Sequence, residues 1–303
     1  MTHLARRRVL QGSLGLGAVT LTGTFLGACG DDSNAGTAGS AGPASDRPSR
    51  HALLAAFPQS TPHIPAGVPT RLPYLISDPD GVPMASIDDE IEFTVAKDGT
   101  VLDTVVVTPR NDGVPRAYLP LTTTFPEPGL YDIAAVYDGS TIDSTVEVFE
   151  RSEVAAPVVG DPLPPVDSPT SNRPLGVDPL CSRRPICPHH STNLTDALTD
   201  GRPIVMVIAT PAYCQTAVCG PLLELVMEQT EGRTDLLVLH QEVYLHPETD
   251  DDLAGAALAP VPAAYGIDFE PLVYVTDSSA TIVARADVTL DRSELADLLE
   301  LAV

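Results

Sequence analysis

Hydrophobic and polar positions alternate one by one through the first half of the chain, then give way to solid apolar blocks and helical spacings. Ile91, Phe93 and Val95 alternate with polar residues up to Asp98-Gly99, after which Val101 and Val105 to Val107 continue the pattern. That is the signature of a hairpin with one buried face. Tyr131, Ile133, Ala135 and Tyr137 repeat it up to Asp138-Gly139, followed by Ile142, Val146 and Val148. With Arg71 to Ile76, Ala117 to Leu121 and an extended edge over Thr61 to Val68, the pattern predicts about six or seven strands, the size of a β-sandwich. Beyond residue 190, Pro203 to Ala209 is a continuous apolar run, as expected of a strand covered on both faces. Leu222, Leu223, Leu225, Val226 and Met227 then follow a helical spacing. Further strands are predicted over Asp235 to Val243, Leu272 to Thr276 and Thr281 to Ala286, the last two joined by the turn Asp277-Ser278-Ser279-Ala280. A terminal helix carries Leu295, Leu298, Leu299 and Leu301, with Asp291 as N-cap and Glu294 three residues on.

Proline and small-residue stretches divide these regions. Gly30 to about Arg50 is rich in Gly, Ala, Ser, Asp and Pro and reads as a flexible tether; Pro157 to about Pro179 reads as a proline-rich linker. Ahead of the tether, Arg6-Arg7-Arg8-Val9-Leu10 resembles a twin-arginine export motif, and Leu26-Gly27-Ala28-Cys29 resembles a lipobox. The resemblance implies a signal peptide over residues 1–28, lipidation at Cys29, and an extracytoplasmic protein anchored by lipid to the outer face of the cytoplasmic membrane. The tether then covers 29–50, the sandwich 51–152, the linker 153–190 and a second domain 191–303. The sandwich resembles an immunoglobulin-like module of bacterial exported proteins. It holds no cysteine and no catalytic constellation, so a spacer or binding role is expected.

The chemistry is concentrated in Thr210-Pro211-Ala212-Tyr213-Cys214-Gln215-Thr216-Ala217-Val218-Cys219-Gly220-Pro221, where the solid apolar strand runs into the helix. A cysteine there meets unpaired N–H groups and the positive end of the helix dipole, both of which favour a thiolate. Residues five apart in a regular helix lie ~7.5 Å apart along its axis, whereas a disulfide needs Cα atoms within ~7 Å. Pairing of Cys214 with Cys219 therefore requires Cys214 to sit in the loop or the first turn to unwind.

This segment, with the strand before it and Glu270-Pro271-Leu272-Val273-Tyr274 downstream, resembles the thioredoxin-like superfamily over Thr192 to Val303. The resemblance implies an α/β thioredoxin-like domain after an immunoglobulin-like β-sandwich in a multidomain chain. It further implies thiol-disulfide oxidoreductase chemistry with Cys214 attacking and Cys219 resolving, a cis Glu270-Pro271 bond, and docking of a protein thiol or disulfide partner at Tyr213, Glu270 and Pro271, with no cofactor. Glu270 is expected to form an acidic rim. The four-residue spacing between the cysteines is similar to that of the peroxiredoxin Q group, which implies thiol peroxidase chemistry as an alternative. Pro211 and Val207 occupy the places where that group carries threonine and proline. A further alternative is a redox-inert lipoprotein whose disulfides only stabilise binding or scaffold domains. His240, on the strand after the cysteine helix, is a candidate proton shuttle to Cys214, with Glu242 beside it.

With Cys29 lipidated, four cysteines remain, an even number that suits two local disulfides in an oxidising compartment. Cys181 with Cys187 is then a structural clip, and Cys214 with Cys219 the second pair. Metal ligation of Cys181 and Cys187 with His189 and His190 matches no familiar zinc spacing, so no metal is expected. The net charge of −24 becomes −27 on cleavage before Cys29, because 14 basic residues then face 41 acidic ones. Nucleic acid and direct electrostatic binding to anionic lipid are thereby excluded as partners.

Overall fold

The computed structural model describes residues 51–59, 61–214, 218–248 and 253–302. The expected signal peptide and tether, with the expected lipidation site Cys29, lie outside these residues. The described chain is β-rich, with two sheets forming a sandwich and a third, mixed sheet flanked by helices. None of its helices is long and apolar enough to cross a membrane.

In the sandwich, β1 (Ala52–Ala55), β3 (Pro69–Ser77) and β6 (Leu119–Thr124) form an antiparallel sheet in the order β1-β3-β6. It faces a five-stranded sheet ordered β2-β8-β7-β4-β5, made of β2 (Ile64–Pro65), β4 (Ile91–Lys97), β5 (Thr100–Val107), β7 (Gly129–Tyr137) and β8 (Ser140–Phe149). The alternating positions turn inward together: Phe93, Val95, Tyr131, Ile133, Ile142 and Val146 pack against Leu72, Tyr74, Ile76, Leu119 and Leu121 in one core. Both hairpin turns place successive residues at positive φ, Asp98 at 50° with Gly99 at 75°, and Asp138 at 48° with Gly139 at 69°. Asp-Gly adopts this pair of conformations at little steric cost, and its twist matches that of the flanking strands. The edge strand β5 departs from the alternation, since Val101 and Val106 are each 58% exposed.

The third, mixed sheet has the order β10-β9-β11-β12, from β9 (Ile204–Ile208), β10 (Leu237–Gln241), β11 (Leu272–Thr276) and β12 (Ile282–Asp287). Strands β9 and β10 are parallel; β11 is antiparallel to β9 and to β12. Because side chains alternate across a strand, β9 serves two cores. Val205 and Val207 join Val273 and Val275 under α2 (Cys219–Gln229) and α4 (Arg292–Glu300). Ile204, Met206 and Ile208 join Leu272 and Tyr274 under α1 (Leu194–Ala197) and α3 (Pro260–Tyr265). The predicted Asp291 cap is present, its side chain accepting from Glu294 N–H at 2.7 Å. Strand β10 is shorter than the predicted Asp235 to Val243, and β1, α1 and α3 are too short to leave a periodic signal.

The proline-rich stretch is not a free linker. Ala156 and Leu163 are buried in the α1/α3 core, and Cys181 and Cys187 in the α2/α4 core. Tyr274 Oη donates to Pro157 O (3.0 Å) and Tyr265 Oη to Pro164 O (2.6 Å). Gly160 N–H donates to Ile282 O (2.9 Å) and Leu163 N–H to Ala280 O (2.8 Å), so the segment lies along the outer edge of β12. Composition points to a solvated spacer, but proline carbonyls remain good acceptors and the buried tyrosine hydroxyls require them.

Sandwich and mixed sheet belong to one compact unit, contrary to the expected separation by a linker. The Arg71 side chain, 7% exposed, donates to both Glu294 oxygens at 2.6 and 2.7 Å, and to Thr289 O at 2.7 Å. Tyr118 Oη donates to Glu294 Oε2 at 2.5 Å and accepts from Asp291 N–H at 2.8 Å. A second tie joins His63 Nε2 to Asp287 at 3.0 Å, with Arg285 Nε on the other carboxylate oxygen at 3.0 Å. Removing one partner of such a pair strands a buried charge. Arg71→Met is therefore expected to lower the unfolding free energy by roughly 3 to 5 kcal/mol, and Arg71→Met/Glu294→Gln to recover most of that loss. Denaturant unfolding followed by circular dichroism measures both; equal loss in the single and double variants would disprove the stranded-charge account.

Candidate functional site

The site forms where β9 ends. The ladder bond of Ala209 N–H to Gln241 O (2.9 Å) is the last on this strand, and the chain then turns, with Tyr213 and Cys214 N–H donating to Thr210 O at 3.1 and 3.0 Å. Thr210 is fully buried, so its remaining groups need partners. Its N–H donates to Glu270 Oε2 and its Oγ1 accepts from Val243 N–H at 3.0 Å. Ala212 N–H donates to Ser182 Oγ at 3.1 Å.

This turn presents Cys214, half-buried, to Cys219, the wholly buried first residue of α2. The two are joined in a disulfide with Cα atoms 6.1 Å apart, and Cys214 lies before the helix, as the spacing requires. Glu270 departs from its expected place on an acidic rim. Its carboxylate is turned inward, within 4.8 Å of both sulfurs. Glu270-Pro271 is cis, ahead of β11. Burial pushes the Glu270 pKa up to about 7, against the opposing effect of the Thr210 N–H bond. Tyr213 is half-buried beside Cys214 in the turn.

A second group of sulfurs corrects the expected clip. Cys181 and Cys187 are free thiols, both buried. They meet His190 and His240, and the four ligand atoms lie within 4.8 Å of one another. His240 Nδ1 stands 3.7 Å from Cys181 Sγ, 3.4 Å from Cys187 Sγ and 3.2 Å from His190 Nε2, which is itself 3.2 Å from Cys187 Sγ. His240 Nε2 lies 3.0 Å from Ala209 O. A carbonyl only accepts, so the ring proton is on Nε2 and the Nδ1 lone pair faces the sulfurs. The candidate shuttle is thus turned away from Cys214 and toward the other two cysteines. His189 stays out of the group, although its carbonyl accepts from His240 N–H at 3.1 Å. The expectation of no metal gives way to a set of four soft and borderline ligands able to hold one.

The two sulfur groups share a wall. Ser182 follows Cys181, and while its hydroxyl receives Ala212 N–H, its own N–H donates to Glu242 Oε1 at 2.6 Å. Burial pushes Glu242 up to about 8. Its Oε2 has no partner among the described residues, as suits a neutral acid. Of the two residues that hold the turn, Thr210 stands one place from where the peroxiredoxin Q group carries its threonine, whereas Ser182 has no positional signal in the sequence.

No protein-family model matches the chain, and no curated protein matches it. Among solved structures, an engineered protein overlaps it at 21% identity over 34% of this chain and 21% of that one, with a TM-score of 0.24. A Salmonella alpha-2-macroglobulin mutant overlaps at 23% identity over 35% of this chain and 7% of that one, TM-score 0.27. The ZirS C-terminal domain does so at 16% identity over 46% of this chain and 99% of that one, TM-score 0.23. The chain spans about a fifth of the engineered protein. At these scores none of the likenesses bears on fold or function.

The inward carboxylate has a pH signature. Tyr244 is the titratable group beside Glu270, Cys214 and Cys219 being joined in the disulfide, and no cation among the described residues offsets its charge. A folded pKa of about 7 against an ordinary 4.5 means that the stability owed to this group is full below pH 4.5 and is lost as pH rises through about 7. Glu270→Gln keeps an acceptor for Thr210 N–H and abolishes the titration. In oxidised protein, the variant should gain on the native chain by roughly 1 to 2 kcal/mol between pH 4.5 and 8, the shift being discounted for partial exposure. Urea unfolding across that range checks it; parallel curves would place the carboxylate in solvent.

Proposed function

We propose that this protein is an extracytoplasmic, lipid-anchored thiol-disulfide oxidoreductase, whose second domain is thioredoxin-like and whose first is an immunoglobulin-like module. The observation that carries this reading is the asymmetry of the Cys214–Cys219 pair, one sulfur half-buried and the other enclosed, with a carboxylate against both. The strand order β10-β9-β11-β12, with Cys214 after β9, Cys219 opening α2 and Pro271 just before β11, supports the domain assignment.

In the oxidised form, a partner thiolate attacks Cys214 Sγ, the reachable sulfur. The Cys214–Cys219 bond breaks as the new S–S bond forms, and Cys219 leaves as a thiolate. Glu270, protonated below about pH 7, is placed to give that sulfur a proton, so that no bare anion is left in an apolar pocket. A second partner thiolate then attacks the partner sulfur of the mixed disulfide and releases Cys214, leaving this protein reduced by two electrons and the partner oxidised. Run backwards, Cys214 attacks a partner disulfide and Cys219 resolves it. Docking falls to the turn at Tyr213 and to the segment around Pro271.

Equilibration with dithiol buffers should give a reduction potential above about −300 mV, the region of exchangeable disulfides. Cys219→Ser should form a stable mixed disulfide at Cys214 with a small aromatic disulfide. A potential below that value, with Cys214 inert to thiols in folded protein, would leave only the structural role.

A further inference from the structure

The geometry points to a closed Zn²⁺ site formed by Cys181, Cys187, His190 and His240. A tetrahedral zinc with bonds of about 2.3 Å to sulfur and 2.0 to 2.1 Å to nitrogen has edges of about 3.3 Å between nitrogens, 3.6 Å between nitrogen and sulfur and 3.8 Å between sulfurs. The measured edges are 3.2 Å for His190 to His240, 3.2 and 3.4 Å for Cys187 to the two imidazoles, and 3.7 Å for Cys181 to His240. Cys181 to Cys187 and Cys181 to His190 fall within 4.8 Å. All four residues are buried, so an ion there has no neighbouring solvent position and meets four protein ligands.

Two further features fit a ligand set. His240 is oriented from outside, its Nε2–H donating to Ala209 O, which fixes the tautomer that leaves Nδ1 free to bind. Ser171 N–H donates to His190 O at 2.8 Å and anchors the backbone that carries the other imidazole. Charge narrows the ions that favour sulfur and imidazole to dications, and among these a tetrahedral set of two sulfurs and two nitrogens suits zinc. Two thiolates neutralise a dication, whereas a monovalent copper ion would leave a net negative charge buried beside Glu242. With every position taken by protein, the zinc is structural. It pins the Cys181–His190 segment to β10, and through Ser182 it holds the turn that carries Cys214.

The test uses the full chain, reduced and stripped with a chelator, then titrated with Co²⁺ as a spectroscopic stand-in for zinc. About one equivalent should bind, with thiolate-to-cobalt charge transfer and the intense visible bands of a tetrahedral site, and Zn²⁺ should displace it. The Cys214→Ser/Cys219→Ser double variant should keep this spectrum. Cys181→Ser and His240→Ala should lose it. Should either of these fail to fold, the native chain still reports: zinc should protect two of its four reduced folded-region thiols from alkylation, and mass mapping should find them at Cys181 and Cys187. A spectrum lost in the double variant and kept in Cys181→Ser would put the metal at Cys214, Cys219 and Glu270 and overturn the assignment. So would absence of cobalt uptake with Cys181 and Cys187 recovered as a disulfide.

Discussion

The backbone at the end of β9 is buried where its ladder runs out, and each polar group there must find a partner that is not a neighbouring strand. Ala209 O takes His240, Thr210 N–H takes Glu270, Thr210 Oγ1 takes Val243 N–H, and Ala212 N–H takes Ser182. These four bonds recruit β10, the loop before β11 and the segment before α1 to one point. The disulfide and the Cys2His2 cluster are adjacent because each adjoins a residue that satisfies this strand end: His240 belongs to the cluster, Ser182 follows Cys181, and Glu270 lies against the disulfide.

Buried carboxylates are treated in two ways in this acidic chain, and the difference is the presence of a cation. Burial alone would raise the pKa of Asp287, but Arg285 and His63 overcome it and hold the group well below the usual carboxylate range. Neither Glu270 nor Glu242 meets an arginine or lysine among the described residues, and burial moves both upward, which leaves Glu242 largely protonated and Glu270 about half so at neutral pH. The first kind of carboxylate joins the halves of the molecule; the second lies beside sulfur, where a proton can be given or taken.

Much of the fold was legible because burial and backbone geometry write directly into the sequence. The alternation of Phe93 with Val95 and of Tyr131 with Ile133, the Asp-Gly turns and the unbroken run of β9 each reflect a periodicity of two or a strand covered on both faces. Cys214 and Cys219 were legible through their place between strand and helix. Of the second cluster, Cys181, Cys187 and His190 were legible as neighbours with ligand atoms, but the fourth member was not, since His240 lies 53 residues beyond Cys187 and meets it only through the pairing of β10 with β9. Local spacing favoured a Cys181–Cys187 bond because it could not see the imidazole between them. The proline-rich segment misled for a related reason: composition reports propensity for regular structure and is silent on whether an irregular segment packs.

The tie between Arg71 and Glu294 joins residues 223 positions apart. A chain made from its N-terminus therefore completes the sandwich strands long before the counter-ion of Arg71 exists, and the guanidinium must stay hydrated until α4 arrives. Arg71 is not a member of the sandwich core, so the sandwich can close with the guanidinium on its wet outer face. The charge leaves water only when α4 packs against β3, so docking of the mixed sheet, and not closure of the sandwich, carries the desolvation cost of this pair.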